Sequence, residues 1–186
     1  DPENKIAFEY HWSLPESLRI KDPLSGNDFL GNAIYFQAKI GLSVRDQHSL
    51  NVEKFSYQLL KEDKEMLRVG LEKNADKKNE YEITAKKYNL VKQRGKPWPI
   101  KGTVRFYGFP DEMVAYHQNA DFVQDLTLIH EKLFRSLYYL GPLRTKAERL
   151  YSWTGINPEG VGYAGENTVA AILAARNRLI NLVKPG

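Results

Sequence analysis

The feature that most constrains this chain is a period of two. Ile34, Phe36, Ala38, Ile40, Leu42 and Val44 fall on one side of an extended segment, with Tyr35, Gln37, Lys39, Gly41 and Ser43 on the other. Successive side chains of a strand point to opposite faces, so this segment buries one face and wets the other, as antiparallel sheets do. Ile6, Phe8, Tyr10 and Trp12 repeat the pattern. Leu50 to Leu59 continues it with a slip between Val52 and Phe55, the mark of a β-bulge. Leu67, Val69 and Leu71 predict a fourth strand, and Tyr81, Ile83 and Ala85 a fifth. A loop carrying Pro15, Pro23 and Gly26 is expected between the first two strands. The connections at 62–64 and 74–79 are short and polar, as hairpins require. Residues 1–93 therefore read as a twisted antiparallel meander.

Residues 94–118 are rich in Pro, Gly and aromatics and read as a connecting segment, loop with one short strand, because proline removes backbone donors. The period then changes. Phe122, Leu126, Ile129, Leu133 and Leu137 recur at three and four, which predicts a helix capped by Asp121. Leu137-Tyr138-Tyr139-Leu140, stopped by Gly141-Pro142, reads as a short buried strand. A Gly-rich loop from Gly155 to Gly165 leads into a last helix, about Asn167 to Val183. Residues 119–186 thus form a helix–strand–loop–helix portion. The fold class expected is α+β.

Composition excludes several chemistries. There is no cysteine, so disulfides, thiolate metal sites and a cysteine nucleophile are out. The four histidines are scattered, and none pairs at metal-binding spacing. The longest apolar runs fall far short of the roughly 18 residues of a membrane span. No charged-then-apolar leader opens the chain. A cytoplasmic protein without membrane contact is the expectation. The chain opens on Asp1-Pro2 without an initiator methionine, which suggests an internal piece of a longer protein.

Two stretches could carry binding chemistry. In the first, Gly141-Pro142-Leu143-Arg144 would end a strand and set Arg144 at its C-terminal edge, where ligands of α/β sheets bind. Arginine offers a planar fork to phosphate, and the glycines from Gly160 to Gly165 let backbone N–H groups approach an anion. A surface salt bridge and an ordinary loop explain the same residues. The second stretch runs from Ile83 to Pro110, with seven basic residues and no acidic one. Lys86, Lys87, Lys92, Arg94 and Lys96, interleaved with Trp98 and other aromatics, suit phosphate neutralisation and base stacking. A solvated hairpin over buried aromatics accounts for them equally.

A family resemblance rests on the order of several runs. These are Phe106-Tyr107-Gly108-Phe109-Pro110, Tyr116 to Phe122, Tyr139-Leu140-Gly141-Pro142-Leu143-Arg144, Arg149-Leu150-Tyr151, and Val161-Gly162 with Gly165-Glu166. In this order they resemble the middle of bacterial AAA-type ATPases of the OLD/SMC/RecF-like (ABC-ATPase) branch, best over about residues 95 to 175. The resemblance implies an ATPase head with ATP and Mg²⁺ bound in the parent protein, and a nucleotide-associated role for Arg144. Gln118 would be a Q-loop-like residue near the metal. The expected partners are the parent's remaining segments and a second head in a homodimer. DNA is a further one, since ATPases of this branch commonly act on DNA or with nucleases, phage defence among their roles. The chain lacks Gly-x4-Gly-Lys-Ser/Thr, a signature sequence and a Walker B acid. The resemblance therefore implies a fragment that does not hydrolyse ATP alone, with no cofactor of its own. A nucleic-acid-binding module using 83–110 and a protein-interaction or dimerisation domain remain the alternatives.

Overall fold

The computed structural model describes residues 5–42, 50–77, 79–95, 99–137, 141, 145–146, 148–153, 155–158 and 160–176. It is an α+β protein with a five-stranded antiparallel sheet in meander order. The strands are β1 (Lys5–Lys21), β2 (Asp28–Leu42), β3 (Leu50–Lys61), β4 (Lys64–Lys73) and β5 (Tyr81–Lys86). Three helices follow: α1 (Asp111–Tyr116), α2 (Phe122–Ser136) and α3 (Thr168–Ala175). The chain parts into two compact units, Asp1–Lys132 and Leu133–Gly186, a division that the changes of sequence character near 94 and 119 do not mark.

Alternation places the core of the first unit on one sheet face. Phe36 sits between Tyr10 and Tyr57 across the strands, and Tyr57 pairs onward with Val69. Ile34, Phe36, Tyr57, Leu59, Leu67, Val69 and Leu71 are all fully buried. Met113 of α1, and Val123 and Leu126 of α2, are buried too. Burying such side chains supplies most of the drive to fold, at about 1.5–3 kcal/mol each.

Register irregularities follow the sequence. Lys39 pairs with Lys54 while Ile40 pairs with Val52, so Glu53 is the extra residue of a bulge. The slip in alternation there is thus explained. The bulge has a consequence, because the Glu53 carboxylate meets Lys5 at 2.6 Å and Lys39 at 3.6 Å. Glu62 and Asp63 both take positive φ, 50° and 61°, the type I′ geometry of a two-residue hairpin between β3 and β4.

Two local expectations are corrected. β1 does not end before Pro15 but runs to Lys21. Ser13 pairs with Ala33 and Leu18 with Gly31, so residues 14–17 bulge opposite a single position. An edge strand tolerates proline in a bulge, since no ladder donor is lost. The stretch Val104 to Tyr107 is not a strand. It is a tight turn closed by the bridge Val104–Gly108, with Arg105 at φ 55°. Asp111 and Glu112 form the acidic first turn of α1, favourable beside the helix's positive end. The expected strand at 138–140 and the last turns of the final helix, 177–183, lie outside the described residues.

Gly70 tests how closely the central strands approach. A Cβ there would lie 2.3 Å from the Phe55 carbonyl oxygen and 2.7 Å from the Ser56 Cβ. Gly70→Ala is expected to lower stability by about 1–3 kcal/mol, because strands β3 and β4 must separate to admit it. A urea titration checks this; an unchanged midpoint would refute the steric reading.

Candidate functional site

The Gly-rich segment of the second unit comes closest to what the sequence proposes. Gly141 N–H donates to the Tyr163 carbonyl at 2.7 Å, and Thr145 N–H to the Ala164 carbonyl at 2.9 Å. The residues on either side of the Pro142-Leu143-Arg144 run are thereby held beside the Gly-rich loop. Arg144 itself lies outside the described residues. A Cβ on Gly141 would sit 2.5 Å from the Tyr163 ring, so a larger residue there would displace that exposed side chain.

The loop before α3 is built around an anion, and that anion is its own. Gly162 and Gly165 take left-handed φ of 83° and 80°, which only glycine adopts freely. The Glu166 carboxylate folds back to accept the Ala164 N–H at 2.8 Å. Hydrogen bonds from the backbone N–H of Glu166, Ala164 and Tyr163 hold its carboxyl below the usual range. A Cβ on Gly162 would lie 2.3 Å from that carboxyl carbon. Asn167 N–H then donates to the Val161 carbonyl and Thr168 Oγ1 to the Gly165 carbonyl, closing the turn into α3.

Gln118 is tied to structure. Its N–H donates to the Val91 carbonyl at 2.8 Å and its side-chain amide to the Lys92 carbonyl at 3.2 Å. The neighbouring His117 bridges Lys92 in the same short ladder. The basic stretch is split. Lys86 ends β5 and meets the Glu65 carboxylate at 3.4 Å, and Lys87 donates to the Glu65 carbonyl oxygen. Arg68 joins them, 2.5 Å from Glu65. Burial raises the Glu65 carboxyl, but Arg68 and Lys86 outweigh it and leave the group below its ordinary value. Lys92 and Arg94 are exposed, while Lys96 and Trp98 lie outside the described residues. Among the described aromatics of the stretch, Tyr88, Tyr107 and Phe109 belong to the core and Phe106 is half-buried. Phe109 packs on Phe55 at 4.9 Å.

Two polar clusters were invisible in the sequence. In the first, His130 of α2 is fully buried and reaches Tyr57 through Nδ1 at 2.6 Å and Tyr10 through Nε2 at 2.5 Å. Tyr57 donates to the Tyr107 carbonyl at 2.7 Å. One proton order serves the whole chain of bonds. His130 Nδ1–H donates to Tyr57, Tyr57 to the carbonyl, and Tyr10 to Nε2, which assigns a neutral imidazole. Burial agrees, pushing the His130 pKa down to about 4 and both tyrosine hydroxyls well up. The Tyr107 ring stacks on the imidazole at 4.5 Å.

In the second cluster, Asn119 joins three segments. Its amide donates to Asp22 at 2.9 Å and to the Asn89 carbonyl at 2.9 Å, and its oxygen accepts Val91 N–H at 3.0 Å. Hydrogen bonds from Asn119, then Ser25, hold the Asp22 carboxyl low. Tyr88, pushed up to about 12 mainly by burial, donates to the Asn119 carbonyl. His130–Tyr10 and Asn119–Asp22 link residues 120 and 97 positions apart. No short motif could announce them. The His130 cluster is enclosed in the core and is read as structural, whereas Asp22, Tyr88 and Asn89 of the second line a cavity of about 460 Å³ that Lys87 also borders.

The polar face of the sheet carries a groove of about 550 Å³, floored by Gln37, Ser56 and Thr84 and edged by Lys39, Lys54, Arg68 and Glu72. Much of its polarity is internally paired, as Tyr35 with Glu9 and Gln37 with Ser56. Among the described residues no group of three or more His, Asp or Glu is placed to hold a metal ion. None of the described helices is long and apolar enough to cross a membrane. No family model, curated protein or solved structure matches the chain.

Proposed function

We propose that this chain is a structural portion of the nucleotide-binding head of an SMC/OLD-like ATPase, inactive in hydrolysis by itself. One observation carries the reading. α3 is Thr-Val-Ala-Ala-Ile-Leu-Ala-Ala, apolar on nearly every side, yet none of its residues is buried. A helix of that character normally lies inside a protein. Ile172 is 63% exposed, and Leu150 and Ile156 of the same unit are 87% and 73% exposed. A head whose phosphate loop, signature and Walker B come from other segments would cover these surfaces with those segments. The antiparallel sheet ahead of them suits the β-subdomain of such a head. In that setting Arg144 is the nucleotide-facing residue, and the Gly141–Tyr163 and Thr145–Ala164 bonds support the stretch that bears it.

The test is a pair of proteins: this chain, and the same chain extended to include the Gly-x4-Gly-Lys-Ser/Thr and Walker B segments of its gene. Equilibrium dialysis with a non-hydrolysable ATP analogue and Mg²⁺ is expected to show binding only by the extended protein. Arg144→Ala in that protein should weaken binding roughly tenfold, the loss of one charge-assisted contact. Absence of the segments from the gene, or no binding by the extended protein, would overturn the reading.

A further inference from the structure

We infer that the open edge of β1 is a self-association surface, through which two copies of this chain pair antiparallel about Ala7 and join their sheets into one. Among the described residues β1 pairs only with β2, so the other edge of Lys5 to Glu9 lies at the rim of the sheet, open to a further strand. Exposure supports an unfinished edge. Ile6 pairs with Ile40 on the core face, yet Ile6 is 60% exposed while Ile40 is 6% exposed. Ile6 is therefore open at the rim, while its neighbour on that face, Phe8, packs edge-on against Phe106 at 5.1 Å.

The side chains select both the occupant and the register. An antiparallel pair centred on Ala7 sets Lys5 opposite Glu9 of the second copy, twice by symmetry, and Ile6 opposite Phe8, also twice. Directly opposed residues share a face, so the charges meet on the polar side and Ile6 is covered on the core side. An in-register parallel pair would instead set Lys5 against Lys5 and Glu9 against Glu9. An antiparallel pair centred on Phe8 would set Ala7 against Glu9 and leave Lys5 facing His11. Charges on an edge ordinarily block indiscriminate pairing. Here their spacing blocks the other registers and favours one. The paired segment stays clear of the bulge at residues 14–17. This inference does not depend on nucleotide binding.

Sedimentation velocity across the micromolar range tests it. The expected result is a reversible monomer–dimer equilibrium. Glu9→Lys, which leaves the Lys5–Glu53 bridge intact, should weaken association roughly tenfold, as should Lys5→Glu, because each creates two like-charge pairs. In an E53Q background, which removes the carboxylate that Lys5 otherwise meets, the double variant K5E/E9K should restore the dimer, since it re-creates the complementarity with the signs exchanged. Far-UV circular dichroism confirms that each variant keeps its sheet. Three outcomes would overturn the proposal: a monomer at every concentration, a dimer indifferent to E9K, or a double variant that stays monomeric. A dimer that ignores E9K but dissolves on Trp153→Asp would place the contact in the second unit, and this too refutes pairing through β1.

Discussion

Replacing His130 by alanine is expected to destabilise the first unit by about 3–5 kcal/mol, the range for emptying a large buried position. The cavity is only part of the cost. The imidazole is the shared partner of Tyr10 and Tyr57, and its removal leaves the buried Tyr57 hydroxyl one bond short, a penalty of about 1–3 kcal/mol if unrelieved, with a smaller loss at the half-buried Tyr10. Chemical denaturation at neutral pH measures the loss. A change below about 1 kcal/mol would mean that water fills the site without penalty.

The same residue sets a pH window. Its folded pKa is about 4, below the ordinary value near 6.5 because the charged ring is poorly solvated. The unfolded chain therefore takes up the proton first. Stability from this group is fully present above about pH 6.5, falls as pH drops, and is gone below about pH 4. The shift corresponds to a loss of up to about 3 kcal/mol. His130→Phe should flatten the stability profile between those values, although it lowers stability at pH 7. A profile that keeps its slope in the variant would assign the proton uptake elsewhere. The depressed carboxyls of Asp22, Glu53 and Glu65 act in a lower window, since their contribution is lost only as pH falls below the ordinary carboxylate range.

The second large effect is expected at Asn119. Asn119→Ala removes the amide that satisfies Asp22, Asn89 and Val91 together, and leaves a buried carboxylate short of its strongest donor. A loss of about 2–4 kcal/mol follows from two or more orphaned groups. Asn119→Asp should be worse than alanine at neutral pH, because it sets a second carboxylate against Asp22. Thermal melts at pH 7 and pH 4 separate these. The aspartate variant should recover part of its loss at the lower pH, where one carboxyl is protonated. Equal melting of the two variants at both values would argue that Asp22 is neutral in the folded protein.

Much of the architecture was legible in the residues. The period-two runs located all five strands, and the slip between Val52 and Phe55 located the bulge at Glu53. The helical spacing from Phe122 to Leu133 located α2. These signals are local, since a side chain's face follows from its neighbours' positions alone. The missed elements are those whose reasons are not local. β1 crosses Pro15 because, among the described residues, its partner is on one side only, so a bulge there breaks no second ladder. α1 has too few residues to show a period. The candidate site was legible only as chemistry. The Gly-rich loop was read as a cradle for an anion, but which anion fills it depends on the fold, and the loop turns onto Glu166.

What the sequence by itself determined was the alternation that makes an antiparallel sheet with one buried face, the amphipathic period of α2, and the absence of cysteine chemistry. Only the tertiary structure decided the rest. It brought His130 between Tyr10 and Tyr57, Asn119 against Asp22, and Glu65 beneath Arg68 and Lys86. It also left Ile172 of α3 and Ile6 at the rim of β1 exposed. The physical reason is separation along the chain. Strand and helix faces are properties of neighbouring residues, whereas a buried hydrogen-bonded cluster or an open apolar surface exists only once distant segments have packed.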